Sequence, residues 1–307
     1  MEVVFLGTGS AWALPEYGCD CQICESMRDL GEERLRTALL IRTRETLLVD
    51  CGPDIRVQLM RNRIERIDAI LITHGHGDHY LGLDELEALR RSRARVDWKP
   101  MPVFASEKTW EVIERRFGYL IGKLLDKHIA SAGAPLEALK TRVTPFETFH
   151  SQTAQGSVGY VFEENTETGQ RKLVYTSDFM DVVSNEELLR AADVLIIESN
   201  FFNEPADNRP GHMSFQRALE FIERWKPKSE TFLVHISDGD PIPGDSANSY
   251  LKKLKPANIL GNPRTGVPYE IPTCQKAWQE RVNQALADRG LPWKVTVAHD
   301  DLKTSPW

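Results

Sequence analysis

The sequence predicts an α/β (α+β) fold in which sheets are covered by helices, and three observations carry that expectation. Short β-rich runs open the chain: EVVFLG (2–7), TALLIR (37–42) and TLLVDCG (46–52). Later strand-like runs, DAILITH (68–74), SVGYVFEE (157–164), KLVYTSD (172–178), DVLIIES (193–199) and TFLVHIS (231–237), are apolar enough to be buried. Between these lie amphipathic helical runs, DIRVQLMRNR (54–63), EKTWEVIERRFGYLIGKLL (107–125) and FQRALEFIERW (215–225). Hairpin-like pairs early and strand–helix alternation later are the pattern of sheets flanked by helices. No internal repeat, low-complexity tract or long Gly/Ser/Pro linker divides the 307 residues, so 1–307 is read as one domain.

Composition is that of an ordinary globular chain, with 41% hydrophobic and 27% charged residues. No apolar run is long enough to span a membrane. The opening MEVVFLGTGS lacks the basic and apolar regions of a secretory signal, so a cytoplasmic, reducing location is expected. The net charge of −7 disfavours nucleic acid as a partner, and a small-molecule substrate is expected instead; a homodimer is left open. One basic run, RRSRARVDWK (90–99), follows the helix-like LDELEALRR and reads as a solvated helix end.

The chemistry is concentrated in LITHGHGDHYLG (71–82), which holds His74, His76, Asp78 and His79. Three imidazoles and a carboxylate within six residues cannot all be core groups, because each needs a polar partner when buried. Gly75 and Gly77 are expected to let the backbone turn tightly so that these side chains converge. Imidazole with carboxylate suits zinc, and manganese or iron less selectively. His74, His150, Asp178 and His235 each end a strand-like run, where a sheet would hold a ligand rigidly. RPGHMSF (209–215) adds His212 in a loop before a helix, and Glu198 ends VLIIE; His128 and His299 read as ordinary residues.

H-x-H-x-D-H after a buried strand resembles the signature of the metallo-β-lactamase superfamily. The resemblance implies a four-layer αβ/βα sandwich with two catalytic divalent metals, zinc or manganese, at the edge of the sheets. Carried onto this sequence, His74, His76 and His150 would hold one metal. Asp78, His79 and His235 would hold the other, with Asp178 bridging. Asp78 would also orient the attacking hydroxide or accept its proton. His212 resembles the general acid of the phosphodiesterase branch, with Glu198 as its carboxylate partner. Histidine at position 76, where the oxygen-reducing di-iron branch has glutamate, places the chain with the hydrolases.

Three of the five cysteines, Cys19, Cys21 and Cys24, fall in YGCDCQICES (17–26). In a reducing compartment a disulfide framework is disfavoured, and the βαβ context of a redox pair is lacking. WALPEYGCDCQIC (12–24) resembles two groups of the superfamily, the phosphoribosyl 1,2-cyclic phosphate phosphodiesterases and the pyrroloquinoline quinone biosynthesis B proteins. In both, such a cluster binds one structural zinc. Three thiolates leave a tetrahedral zinc one ligand short. Asp238 in VHISDGD (234–240) stands where the phosphodiesterase has a histidine and is the expected fourth ligand, with Asp240 or water as alternatives.

The activity expected is metal-dependent hydrolysis of a small, activated or cyclic, phosphodiester. The alternatives are a biosynthetic enzyme like the quinone B protein, a ribonuclease Z-like nuclease, or a lactone or thioester hydrolase. Two segments fall outside the superfamily pattern. Residues 115–140 are expected to be a helical insertion near the site mouth. Residues 256–290 are expected to add a Pro/Gly-rich loop and a helix that shape a pocket.

Overall fold

The computed structural model describes every residue except 93, 95, 96, 168 and 307, so part of the basic run at 90–99 lies outside the described residues. The first sheet starts with β1 (Glu2–Gly7), β2 (Ala38–Arg42) and β3 (Thr46–Val49), an antiparallel meander, with Arg42 facing Thr46 across the β2–β3 turn. It continues in parallel through β4 (Ala69–Leu71), β5 (Met101–Ala105) and β6 (Leu125–Ile129). The second sheet repeats the plan. An antiparallel part, β7 (Arg142–Phe149), β8 (Val158–Thr166), β9 (Gly169–Tyr175) and β10 (Asp181–Val182), is ordered 10-7-8-9. It passes into a parallel part, β11 (Val194–Glu198), β12 (Glu230–Val234) and β13 (Val295–Val297). The chain then crosses back, and β14 (Lys303–Thr304) pairs with β1.

Alternation along the strands sets the layers. Val3, Phe5, Leu47, Val49 and Leu71 of the first sheet pack against Tyr160, Leu173, Val194, Ile196 and Phe232 of the second. The alternate residues of the first sheet, Val4, Leu6, Leu48 and Ile70, face outward. They meet Ile55 of α2 (Ile55–Arg61) and, past the short helices α3 (Gly77–Tyr80) and α4 (Glu87–Arg91), Trp110, Ile113 and Phe117 of α5 (Glu107–Phe117). Leu195, Ile197 and Leu233 face α1 (Gln22–Leu30), α6 (Phe215–Trp225) and α7 (Gln275–Arg289). The result is the helix–sheet–sheet–helix sandwich expected. Caps fix where helices begin: the Ser106 hydroxyl accepts from Thr109 N and the Ser214 hydroxyl from Arg217 N.

One segment departs from the sequence reading. The helix expected over 107–125 stops at Phe117, and Leu125–Ile129 is the edge strand β6. Ile121 is already extended and Gly122 takes φ 76°, so the chain turns before the run KLLDKHI. Residues beyond β6 hydrogen-bond to Ala105, Val143 and Pro145, bridging β5 and β7, and build no helix at a site mouth. In 256–290 the loop leads, as expected, into a helix, α7, before β13. No helix among the described residues is long and apolar enough to cross a membrane.

Candidate metal centre

The site lies at the C-terminal ends of strands from both sheets. β4 runs only to Leu71, so His74 stands beyond the strand, and Asp178 likewise follows β9 by three residues; His150 and His235 directly follow β7 and β12. The chain leaves β4 early because the Thr73 N–H and hydroxyl donate to the Asp50 carboxylate. Asp50, Ser177 and His235 take φ of 63°, 58° and 61°. Left-handed backbone at residues with a Cβ is held only where the surroundings impose it, and here it turns strand ends toward one point. Gly75 and Gly77 are not left-handed: a Cβ at Gly77 would meet Leu81 at 2.7 Å, so that glycine supplies room. Gly52 matters more, because a Cβ there would lie 2.0 Å from the Asp78 carbonyl oxygen.

His74, His76 and His150 come together as one group, and Asp78, His79, Asp178 and His235 as a second; in each group the ligand atoms lie within 4.8 Å of one another. His150 Nε2 is 3.2 Å from His76 Nδ1. Asp178 Oδ2 sits between the groups, 3.9 Å from His74 Nε2, 3.3 Å from His79 Nε2 and 3.1 Å from His235 Nε2. His79 Nε2 is also 3.0 Å from Asp78 Oδ2.

The other nitrogen of each ring is held. His79 Nδ1 bonds Asp50 Oδ2 at 2.8 Å, His150 Nδ1 the Gly211 carbonyl at 2.7 Å, His74 Nδ1 the Thr73 hydroxyl at 3.0 Å and His235 Nδ1 the Asn200 amide at 3.0 Å. Partners of this kind set the orientation and tautomer of metal-binding imidazoles. Asp50 and Asn200 match no superfamily ligand position, so the motif does not reveal them. The signal for Asp50 was a carboxylate directly after the wholly apolar LLV.

The donor set fits divalent cations. Among the described residues, His74, His79 and His235 Nε2 and Asp178 Oδ1 are buried without a hydrogen-bond partner. Orphaned buried atoms are costly, and three ring nitrogens gathered around the Asp178 carboxylate match an imidazole–carboxylate metal set. Burial pushes His74 well below its ordinary range and lowers His76 and His150, the last to about 4, leaving these rings neutral with lone pairs to offer. Burial opposes ionisation of Asp78 and Asp178, but His79 and His235 outweigh it and hold both carboxyls well below the usual range.

His212 adjoins the second group, and with Asp178, Glu198 and His235 it forms a further set whose ligand atoms lie within 4.8 Å of one another. Its Nδ1 is 2.6 Å from Glu198 Oε1, and Glu198 Oε2 accepts from Phe179 N and Met213 N. Burial alone would raise the Glu198 carboxyl; the His212 imidazole outweighs it and holds the group ionised.

Apart from this centre, Cys19, Cys21 and Cys24 converge on Asp238 Oδ2 at 3.6, 3.2 and 3.0 Å. Asp240 turns away and accepts from Phe202 N and Asn203 N. Hydrogen bonding from Cys24 brings the Cys21 thiol down to about 6, while burial raises Cys19 and the hydrogen bond to Cys21 raises Cys24. Lys252 Nζ is 2.5 Å from the same Asp238 oxygen.

Residues 45–236 match the model of the beta-lactamase superfamily domain, and the chain belongs to that superfamily. It is similar to an octanoyltransferase of Porphyromonas gingivalis, 28% identical over 253 residues, covering 79% of this chain and 47% of that protein. The chain thus spans about half the length of that relative, whose named activity need not reside in the shared part. Ribonuclease Z of Thermoplasma volcanium is 26% identical over 315 residues, covering 85% of this chain and 96% of that one. Among solved structures, a diphosphatase from the PhnP family is 27% identical with a TM-score of 0.71, covering 99% of this chain and 97% of that one. Zinc-bound PqqB from Methylobacterium extorquens has a TM-score of 0.71 at 18% identity, covering 99% of this chain and 100% of that one, a likeness of fold. The chain has the metallo-β-lactamase fold that these relatives share. The similarity to ribonuclease Z removes the ground for setting nucleic acid aside on net charge.

Proposed function

We propose that the chain is a two-metal phosphodiesterase of a reducing, cytoplasmic compartment, acting on a small, activated or cyclic phosphodiester. His74, His76 and His150 hold one divalent metal, zinc or manganese; Asp78, His79 and His235 hold the other, with Asp178 between them. Cys19, Cys21, Cys24 and Asp238 hold one structural zinc. Two such cations, when bound, make hydroxide available near neutral pH and offset charge on phosphoryl oxygens.

The observation that carries the reading is the His212–Glu198 pair beside the donor groups. A phosphodiester needs its leaving alkoxide protonated, which general-acid catalysis supplies. Glu198 fixes Nδ1, so Nε2 is the nitrogen free to deliver a proton. Asp78, 3.7 Å from His235 Nε2, orients the attacking oxygen or accepts its proton.

A second reading, RNA processing, is favoured by the ribonuclease Z similarity over nearly that protein's full length. A panel of cyclic phosphates, linear phosphodiesters, a precursor tRNA, lactones and thioesters, run with zinc and with manganese, separates the readings. Turnover of small phosphodiesters is expected; turnover of RNA alone would favour the second, and turnover of only lactones or thioesters would overturn both. His212→Ala is expected to lower kcat by about 10²–10⁴ with a poor leaving group and by less with an activated aryl one. An equal loss on both would remove His212 from the acid role.

A further inference from the structure

We infer that Thr153 is a positioning residue for the metal ligand His76, and that the three-histidine half of the centre is the half that exchanges its metal. The inference rests on the two-metal reading and concerns a residue that reading does not use.

The two halves differ in charge and in shielding. The three imidazoles bring no negative charge, whereas the other group brings the carboxylates of Asp78 and Asp178. Asp178 Oδ2 also lies nearer that group, 3.3 and 3.1 Å from His79 and His235 Nε2 against 3.9 Å from His74 Nε2. Charged donors hold a divalent cation more tightly, so the histidine group is the weaker half. Within it His74 and His150 are buried, and His76 is only half-buried.

His76 is also held differently from the other rings. Its Nδ1 faces the donor set, 3.2 Å from His150 Nε2, so Nε2 is the outward nitrogen. Nε2 meets the Thr153 hydroxyl at 2.9 Å, and Thr153 Oγ1 lies 2.9 Å from Ser151 Oγ. With Nδ1 lending its lone pair to a metal, Nε2 carries the ring proton and donates it to Thr153. Asp50 and Asn200, the partners of His79 and His235, are buried, while Thr153 is exposed. The least buried ligand is thus oriented by a hydroxyl for which water competes.

The turn that carries Thr153 is itself well placed. It joins β7 to β8 directly after His150, so one short segment bears a ligand of this metal and the group that orients another. Ala154, the next residue, is buried; its N donates to the Ser151 carbonyl at 3.2 Å, and its carbonyl accepts from the Ser157 hydroxyl at 2.6 Å. These bonds keep the Thr153 hydroxyl beside the ring while leaving it open to solvent.

The experiment adds increasing chelator to the zinc-loaded full chain and measures the zinc released by elemental analysis. In wild type one equivalent is expected to leave well before the others. His150→Ala, which removes a ligand of the histidine group alone, should lack that equivalent. Thr153→Val should release it at about 10–100-fold less chelator, with the later equivalents unmoved. Thr153→Ser, which keeps the hydroxyl, should release it close to the wild-type point. The kcat that Thr153→Val loses at limiting zinc should return in excess zinc, which a merely structural defect would not allow. An unchanged first release in Thr153→Val, a Thr153→Ser as weak as Thr153→Val, or a kcat that excess zinc does not restore would overturn the positioning role. A first equivalent that His150→Ala retains would overturn the assignment of the exchangeable half. Wild type holding at most one zinc in all would sink the two-metal reading itself.

Discussion

Among the described residues, metal-capable side chains gather in two regions built in different ways. In the histidine–aspartate centre the inward nitrogens of His74, His79 and His235 make no hydrogen bond and lie 3.9, 3.3 and 3.1 Å from the Asp178 carboxylate, while Asp50, Thr73 and Asn200 fix the outward ones. In the cysteine group the thiols already converge on Asp238, which Lys252 also holds. The first is assembled from strand ends of both sheets, so it is as rigid as the sandwich. The second joins an N-terminal loop and the first turn of α1 to Asp238, beyond His235. Open valences on a rigid frame suit chemistry, and closed ones suit holding a loop in place.

The comparison breaks most visibly at His79. His79→Ala is expected to lower phosphodiester turnover by about a thousandfold or more, since a metal's share of transition-state stabilisation is several kcal/mol. Elemental analysis should show metal lost from the centre and the cysteine-bound metal retained, out of close to three per chain. If wild type held at most one metal, the two-metal assignment would fall. Asp50→Asn should cost less, about 10–100-fold in activity or metal affinity, because it acts through the orientation of His79. An Asp50→Asn protein with unchanged metal affinity and activity would reduce that hydrogen bond to packing.

The same contrast explains what could be read from the sequence. The ligand motif was legible because His74, His76, Asp78 and His79 are adjacent in the chain, and the strand-like runs before His150, Asp178 and His235 announced their setting. Asp238 was reached because it lies three residues after His235. Asp50 and Asn200 were not legible as site residues: their roles exist only once β3 lies beside β4 and β11 beside β12. Nor was β6, because the apolar run of 107–125 keeps a helical period up to Phe117, and the extended Ile121 with the left-handed Gly122 then redirects the chain into a strand. Local patterns carry spacing, and tertiary pairing decides partners and ends.

Cys21→Ser should separate the two groups from the other side. Under the structural-zinc reading, metal binding there is folding free energy. A loss of about 3 kcal/mol, roughly 5–10 °C in Tm, is expected, with a smaller change in turnover. Unchanged stability together with unchanged metal content would show that the thiols hold no metal.

Lys252→Met gives the smallest effect and the sharpest comparison. Asp238 is almost wholly buried and its charge requires a counter-charge. Lys252 supplies one in this structure, 2.5 Å from Oδ2, and a bound divalent cation would supply another. With zinc present, Lys252→Met should cost within about 1 kcal/mol, as expected for a partly exposed lysine whose partner is otherwise compensated. After chelation the same substitution leaves Asp238 beside three thiols with no cation, and the cost should rise to about 3 kcal/mol or more. Thermal melts of wild type and Lys252→Met, with zinc and with chelator, read this as a coupling between residue and metal. An equal cost in both conditions would mean that no metal shares Asp238 with Lys252, and the cysteine group would then be held by its own hydrogen bonds.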